Sequence, residues 1–519
     1  MTDTNAEQTV PDSLVSEWQR LSPVSIIYFV LKFIMGFAKH GVQNAAIFGG
    51  IFIFSGGDNR LPIIIAIVGA AMLLLLVASV LSYLNFRFRI NKNAFLIHKG
   101  VIQKKRLTLS FDRIQNIALK EPVYFRPFGL VNMALESAGS VTEEVSLAGI
   151  DRRLAESLRR SVLSDPKAPM QAESTEPAPT NTEKHSEIPL LHHPVAELVR
   201  YGLSNNNVWV FAGLAAGAIS QIDEDVSGYI KDWLSVPEAF ISSHSTGAVI
   251  GLFAGIAILM LAMLLLGSVI GAIVIYYDYR LSFSDGRFHR LKGLFERSDT
   301  SLPASKIQAL KINQPWPARL LYRSHITLMQ IGFSPAFDQG ETHVKQAKFI
   351  VPSMRHDQIS ALVATLYPDM AWQTVTFAPI DKLYLKRLFW LDFLTPATVI
   401  AILLAGLAAT AWFLLLTLVP VIIYPLLRMN YAKHGYWTDG QHIAVRQGVF
   451  GHKIVIFPIY KAQGVKIKRS PGQRRKGLAT LVVKLAGHKV SVPYIPHEAA
   501  MRWRDRILHT LATDRTPWM

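Results

Sequence analysis

The chain has 519 residues, half of them hydrophobic, with no cysteine and a formal net charge of +17. The missing cysteines exclude disulfides, thiolate metal sites and cysteine nucleophiles, and a positive mean hydropathy at this length is rare for a soluble protein. The excess of Lys and Arg points to an anionic partner, phospholipid head groups or nucleic acid, and long apolar runs favour lipid.

Residues 1–20 read as an exposed arm. Asp3, Glu7, Asp12 and Glu17 with no basic n-region are not a signal peptide. Residues 21–85 read as a first transmembrane hairpin. Leu21–Phe37 is an interfacial helix or the start of a spanning one, and Val42–Phe54 is followed, after the turn GGDNR, by Leu61–Tyr83, long enough to cross a bilayer. From Phe86 the pattern changes to short β-branched and aromatic runs between polar turns (FRFRI, AFLIH, LTLSF, VNMALES, EEVSLAGI), which predicts strands. Leu154, Leu158 and Val162 then recur at helical spacing behind Asp151, a candidate N-cap. Residues 86–163 therefore form one strand cassette closed by an amphipathic helix.

Residues 164–190 are rich in Pro, Ser, Thr and Glu and poor in large apolar side chains, the composition of a flexible linker. The cycle then restarts. A hairpin over 191–278, with helices at Val208–Ile222 and Val249–Tyr276 around a loop bearing Asp223, Glu224, Asp225, Asp232 and Glu238, leads to a cassette over 279–368. A third hairpin over 379–430, with helices at Thr395–Ala408 and Trp412–Leu427, leads to a cassette over 431–513.

Fixed offsets prove the repetition. Gly100, Gly293 and Gly448 precede Gln115, Gln308 and Gln463 by the same interval; Arg113, Lys306 and Lys461 stand two before each glutamine, and Arg126, Arg319 and Arg474 follow at one further offset. Such self-similarity marks an internal repeat. Bases cluster beside the apolar runs on one side (Lys39, Arg87, Arg200, Arg280, Lys386, Arg428, Lys433), while the opposite loops are short or acidic. The positive-inside rule then places the cassettes and both termini in the cytoplasm. The expected fold is an α+β membrane protein: about six transmembrane helices in three hairpins, each followed by a cytoplasmic β-strand cassette with a C-terminal helix.

About seven strands and a closing helix is the order of a pleckstrin-homology barrel. With the turns Lys99-Gly100-Val101 and Lys292-Gly293-Leu294 and the R/K-x-Q step, the unit resembles the bacterial PH-like domain (bPH2, formerly DUF304), and three copies in a multi-spanning chain resemble the YdbT-like membrane proteins. The third copy departs at Gln447-Gly448, and the second has Tyr322 where the others have Gly129 and Gly477. The resemblance implies head-group or protein binding, a smaller PH-like membrane partner, a bacterial inner-membrane location, and a role in envelope homeostasis or resistance.

The landmark glycines read first as tight turns that need positive φ, and the glutamines as ties between a strand end and neighbouring backbone, with a barrel–hairpin contact as the alternative. Arg113, Arg126, Lys306, Arg319 and Lys461, with Lys466, Lys468, Arg469, Arg474, Arg475 and Lys476 of the densest patch, are candidate contacts to anionic lipid; the plainer reading is a solvated basic face. Nucleic acid fits less well, because aromatics are not interleaved with these bases. Gly213-xxx-Gly217, Gly251-xxx-Gly255 and Gly267-xxx-Gly271 are spacings that let helices approach closely. No HExxH, P-loop or GxSxG occurs, His192-His193 lacks a spaced third ligand, and the Asp223–Asp225 triplet lacks the alternation of a calcium loop. The expectation is a non-enzymatic scaffold without metal, cofactor or nucleic acid; the alternative is a lipid or small-solute transporter built on the helices.

Overall fold

The computed structural model describes residues 18–39, 60–91, 94–101, 103–111, 114–137, 145–163, 188–205, 245–330, 349–408, 411–486 and 488–513. Val42–Phe54, the acidic loop, Val208–Ile222, Gly213, Gly217, Arg113, nearly all of the linker and most of the N-terminal arm lie outside them. Two compact units emerge, Met1–Ser186 with Phe295–Ser301, and Glu187–Leu294 with Leu302–Met519.

In the first unit, α1 (Ser25–Lys39) and α2 (Arg60–Leu84) precede β1 (Arg87–Asn91), β2 (Ala94–Lys99) and β3 (Lys105–Ser110), which form an antiparallel sheet in that order. A second layer holds β4 (Ile114–Pro122), β5 (Leu130–Ser137) and β6 (Val145–Asp151), closed by α3 (Arg152–Leu163). Alternation points Phe88, Ile90, Phe95 and Ile97 inward from the first layer, where they meet Ile117, Met133, Leu135 and Leu147 of the second and Leu158 of α3. Each fully buried side chain of this kind is worth roughly 1.5–3 kcal/mol. Asp151 caps α3 as expected, its Oδ1 accepting from the amides of Arg153 (2.8 Å) and Leu154 (3.3 Å).

The second unit repeats the plan twice, apart from residues 296–301 of the third strand, which belong to the first unit. β7 (Ile188–His192), α4 (Val195–Ser204) and α5 (Thr246–Tyr276) are followed by β8 (Arg280–Ser284), β9 (Arg287–Lys292), β10 (Glu296–Pro303), β11 (Ile307–Gln314), β12 (Ser324–Gln330), β13 (Phe349–Met354) and α6 (His356–Leu366). The third copy runs through β14 (Ala378–Pro379), α7 (Thr395–Ala408), α8 (Val419–Lys433), β15 (Gly435–Thr438), β16 (His442–Gln447), β17 (His452–Pro458), β18 (Ala462–Lys468), β19 (Leu478–Leu485), β20 (His488–Pro496) and α9 (His497–Thr513).

In the second and third barrels the opening strand lies before the apolar insertion, not after it, and in the first an isolated bridge stands at that place. β7 pairs with β8, β14 with β15, and Gln19 bridges Phe88. This corrects the linker drawn as 164–190, because Ile188–Leu190 is barrel strand. A short polar-flanked stretch such as IPLLH carries too little periodicity to announce itself next to a Pro-rich segment.

Neighbouring cassettes are also joined edge to edge. In the second unit β11 pairs with β17, Leu310–Gln314 against His452–Ile456, so one seven-stranded sheet runs β13-β12-β11-β17-β16-β15-β14. In the first unit Glu296–Thr300 of β10 pairs with Ala118–Pro122 of β4, and Lys120 and Glu296 face each other at 3.7 Å. The same two strand positions meet at both junctions.

Among the described residues, three helical stretches are long and apolar enough to cross a membrane, Ile250–Tyr276, Leu383–Leu407 and Trp412–Lys433, and Ser25–Met35 and Met72–Leu84 are shorter apolar helices. The first helix of the third insertion was expected at Thr395 but begins at Leu383. It continues through a π-turn at Leu388–Leu394, where Arg387 and Asp392 lie 3.8 Å apart. Paired across the wider turn, those two charges are accommodated near the start of the helix. A Cβ on Gly251 or Gly255 would meet nothing within 4 Å among the described residues, whereas one on Gly202 of α4 would stand 2.6 Å from Val269 Cα of α5. A close approach is thus made at Gly202, where Ser268 Oγ also donates to the Gly202 carbonyl at 2.7 Å.

Candidate functional site: barrel joints and basic turns

Each repeat landmark has a defined place. Gly100, Gly293 and Gly448 take φ of 108°, 111° and 147°, and a Cβ on Gly100 would sit 2.0 Å from the Gln103 carbonyl oxygen. They are turn residues. Gln115, Gln308 and Gln463 each fall in the register shift near the start of β4, β11 and β18. They are β-bulge residues, which bend the strand as it leaves the first layer for the second. Gln308 is buried and Gln463 exposed, so the shared role belongs to the backbone.

The final strand carries a second irregularity that sequence reading missed. Gly149, Ser353 and Tyr494 stand in matching register shifts of β6, β13 and β20 with φ of 78°, 43° and 53°. Onto each of these docks the chain that leads into the apolar insertion. In the first barrel Ser25 Oγ donates to the Ala148 carbonyl at 2.8 Å, and a Cβ on Gly149 would lie 2.0 Å from that hydroxyl. In the third the Asp381 amide donates to the Tyr494 carbonyl at 3.0 Å, and the rings of Tyr384 and Tyr494 meet edge to face at 5.6 Å.

The second joint is ionic. Glu197 of α4, 6% exposed, accepts from Arg323 Nε (2.8 Å) and Nη2 (2.9 Å), Arg200 Nη1 (2.6 Å) and Ser353 Oγ (2.7 Å). The Arg323 fork binds both carboxylate oxygens. Hydrogen bonding to Arg323 outweighs burial and, with Ser353, holds the Glu197 carboxyl down to about 2. His325 Nδ1 accepts from the Ser353 amide at 3.4 Å and Nε2 lies 3.3 Å from Ser204 Oγ; burial depresses this imidazole to about 4. His193 is likewise depressed to about 4 by burial. Since backbone rather than carboxylate faces His325 Nδ1, and Ser204 is buried, the Ser204–His325 pair lacks the orienting acid of a hydrolytic triad. Its geometry clamps α4 to the barrel.

The arginine landmarks occupy one turn in each barrel. Arg126 begins a 3-10 turn, Arg319 lies in the helix Trp316–Leu320 and Arg474 in the helix Pro471–Arg475, and all three are exposed. The turns end on a left-handed residue, Gly129 at 63°, Tyr322 at 52° and Gly477 at 63°. Tyr322 keeps the conformation without being glycine and is 82% exposed. Tyr322→Gly should therefore stabilise the protein by about 0.5–1 kcal/mol, the left-handed penalty less the added chain entropy, measured as a rise in Tm. Beside the arginines stand exposed Phe128, Trp316 and Leu320 in the first two turns, and Arg475 and Lys476 in the third. The Trp316–Leu320 helix packs on α4, at the root of the second insertion.

The densest patch is well built. Ser470 and Gln473 form a reciprocal capping box, and Gln473 Nε2 donates to Thr480 Oγ1 at 2.8 Å. Arg469 is half-buried and donates to the Leu478 carbonyl at 3.3 Å, leaving Lys466, Lys468, Arg474, Arg475 and Lys476 exposed.

Lys306 is half-buried at the end of the turn Ala304–Lys306. Lys461 is not at a lipid-facing surface: it is buried, and its ammonium donates to the Ser305 carbonyl of the preceding cassette. Burial pulls Lys461 down to about 8. Between about pH 8 and the unfolded value near 10.5 the unfolded chain holds the extra proton, so stability rises with pH across that window. Denaturation at stepped pH should show this rise, and Lys461→Met should flatten it.

A membrane-inserted chain with repeated PH-like barrels defines the class. The family model described as Bacterial PH domain matches residues 42–165, 240–368 and 388–511, and the chain belongs to that family. A curated relative, the UPF0699 transmembrane protein YdbT of Bacillus subtilis, is 25% identical over 307 residues, 58% of this chain and 60% of the relative. No solved structure matches. The protein is thus a transmembrane protein with bacterial PH-like domains.

Proposed function

We infer that the protein is a non-enzymatic scaffold of the bacterial inner membrane, with three PH-like barrels held on the cytoplasmic face by three helical hairpins. One observation carries this reading: the strands before and after the second and third apolar insertions pair with each other in the same barrel, and a bridge from Gln19 to Phe88 joins the two ends of the first. A segment that leaves and re-enters one barrel crosses the bilayer an even number of times. Residues 380–434 hold two candidate spans, as this requires. With bases flanking the roots, the positive-inside rule supports a cytoplasmic face for barrels and termini.

The barrels then contact other proteins, a smaller PH-like membrane partner among them, and anionic lipid. The exposed pairs Arg126 with Phe128 and Arg319 with Trp316 suit the head-group layer, where aromatic rings and guanidinium groups both concentrate. The patch at Lys466–Lys476 supplies charge without aromatics. Nothing among the described residues favours the transport alternative. A role in envelope homeostasis would show as altered sensitivity to membrane-acting agents on deletion of the gene.

The test is purification in mild detergent with mass spectrometry of co-purifying proteins and lipids, comparing wild type with glutamine at Lys466, Lys468, Arg474, Arg475 and Lys476. At about 1 kcal/mol per base near an anionic surface, recovered anionic lipid should fall at least severalfold while a protein partner is retained. Recovery of neither lipid nor partner by the wild type would end the scaffold reading.

A further inference from the structure

Both junctions between cassettes use one pair of edges: the third strand of the later barrel, β10 or β17, against the strand that opens the second layer of the earlier one, β4 or β11. Among the described residues the third strand of the first cassette, β3, ends its sheet, in the order β1-β2-β3. Lys105, Arg106 and Thr108 are exposed on it, as is Lys104 just before it. The corresponding strands β10 and β17 are largely buried from their middle onward. A bare strand edge presents unpaired amides and carbonyls and is a template for another strand.

We propose that β3 is a strand-addition site for a separate polypeptide that offers an acid-bearing antiparallel strand. Counted from the landmark glycines, Lys104 and Lys105 hold the places of Arg297 and Lys453. Within the chain Arg297 stands opposite Glu121 and Lys453 opposite Asn313, so each junction sets a base against an acid or an amide. A second copy fits poorly. The strand it would offer, β18, brings exposed Lys466 and Lys468 to the basic edge, and α9 already packs on β18. Like charges directly opposed across a strand pair are destabilising. Main-chain hydrogen bonds supply the affinity and the acids the selection.

The inference rests on reading the barrels as assembly modules, and it is tested apart from lipid recovery. The full chain in detergent, carrying a photo-crosslinking residue at Thr108, is titrated with a labelled nine-residue peptide of the β4 sequence with Lys120→Glu. Two control peptides carry Glu121→Lys with Lys120 kept, or Ala118→Pro in the acidic peptide. The acidic peptide should bind and cross-link at position 108, the lysine peptide at least about tenfold more weakly, and the proline peptide not at all. Lys104→Glu with Lys105→Glu, both exposed and therefore compatible with folding, should reverse the order of the charged peptides; an unchanged Tm confirms the fold. Equal binding of all three peptides, binding without a cross-link at 108, or no binding would overturn the proposal. So would a cross-link from 108 to β18 of another copy, which makes the occupant a second copy. Loss of lipid in the patch variant with β3 binding intact separates the two readings.

Discussion

Replacing Glu197 by glutamine should loosen the second barrel from α4 and cost about 3–5 kcal/mol, the penalty for removing one partner of a buried ion pair. The side chains of Glu197 and Arg323 are only 8% and 12% exposed, so water cannot take over when the carboxylate is lost. The guanidinium of Arg323 would keep its charge and lose both charged acceptors, while Ser353 would exchange a charged acceptor for a neutral one. Hydrogen exchange should accelerate in α4 and at the end of β13, with α3 of the first barrel unaffected. The same joint has a pH signature. The carboxyl pKa is lower in the fold than in the unfolded chain, so the stabilisation is complete above about pH 4.5 and disappears as the pH falls towards 2. Glu197→Gln should remove that acid-side slope.

Gly451→Ala should break the sheet shared by the second and third barrels. A Cβ at this position would lie 2.1 Å from the Gln314 carbonyl oxygen and 3.0 Å from Pro315 Cα. Both are backbone of the neighbouring cassette, so neither can swing aside, and the strands must separate at Gln314↔His452. We expect a loss of about 1–3 kcal/mol, the usual cost of overpacking, with faster amide exchange in β11 and β17. Gly472→Ala, in open space on the same barrel, is the matched control and should leave β11 and β17 exchange unchanged.

Much of the local chemistry was legible. The landmark glycines are turns because the required φ admits few other residues, and Asp151 caps α3 because a carboxylate before an amphipathic run satisfies free amides. The glutamines were recognised as recurrent, but their role as bulge residues was not, because a bulge is a property of two paired strands. Lys461 looked like its exposed neighbours Lys466 and Lys468. Only packing against the turn of Ser305 buries it. Glu197 drew no notice in the run VAELVRYGL, since Arg323 lies 126 residues away and Ser353 156.

Periodicity, composition and fixed offsets, which are one-dimensional quantities, were enough for the triple repeat, the strand cassettes with their closing helices, the apolar segments and the basic turns. Long-range pairing settled the rest: that the second and third barrels take their first strand from before the insertion, that neighbouring cassettes share strand edges, and that every insertion is tied to a left-handed residue in the last strand. These depend on backbone hydrogen bonds and charge pairs between residues far apart in the chain, whose partners no local pattern specifies.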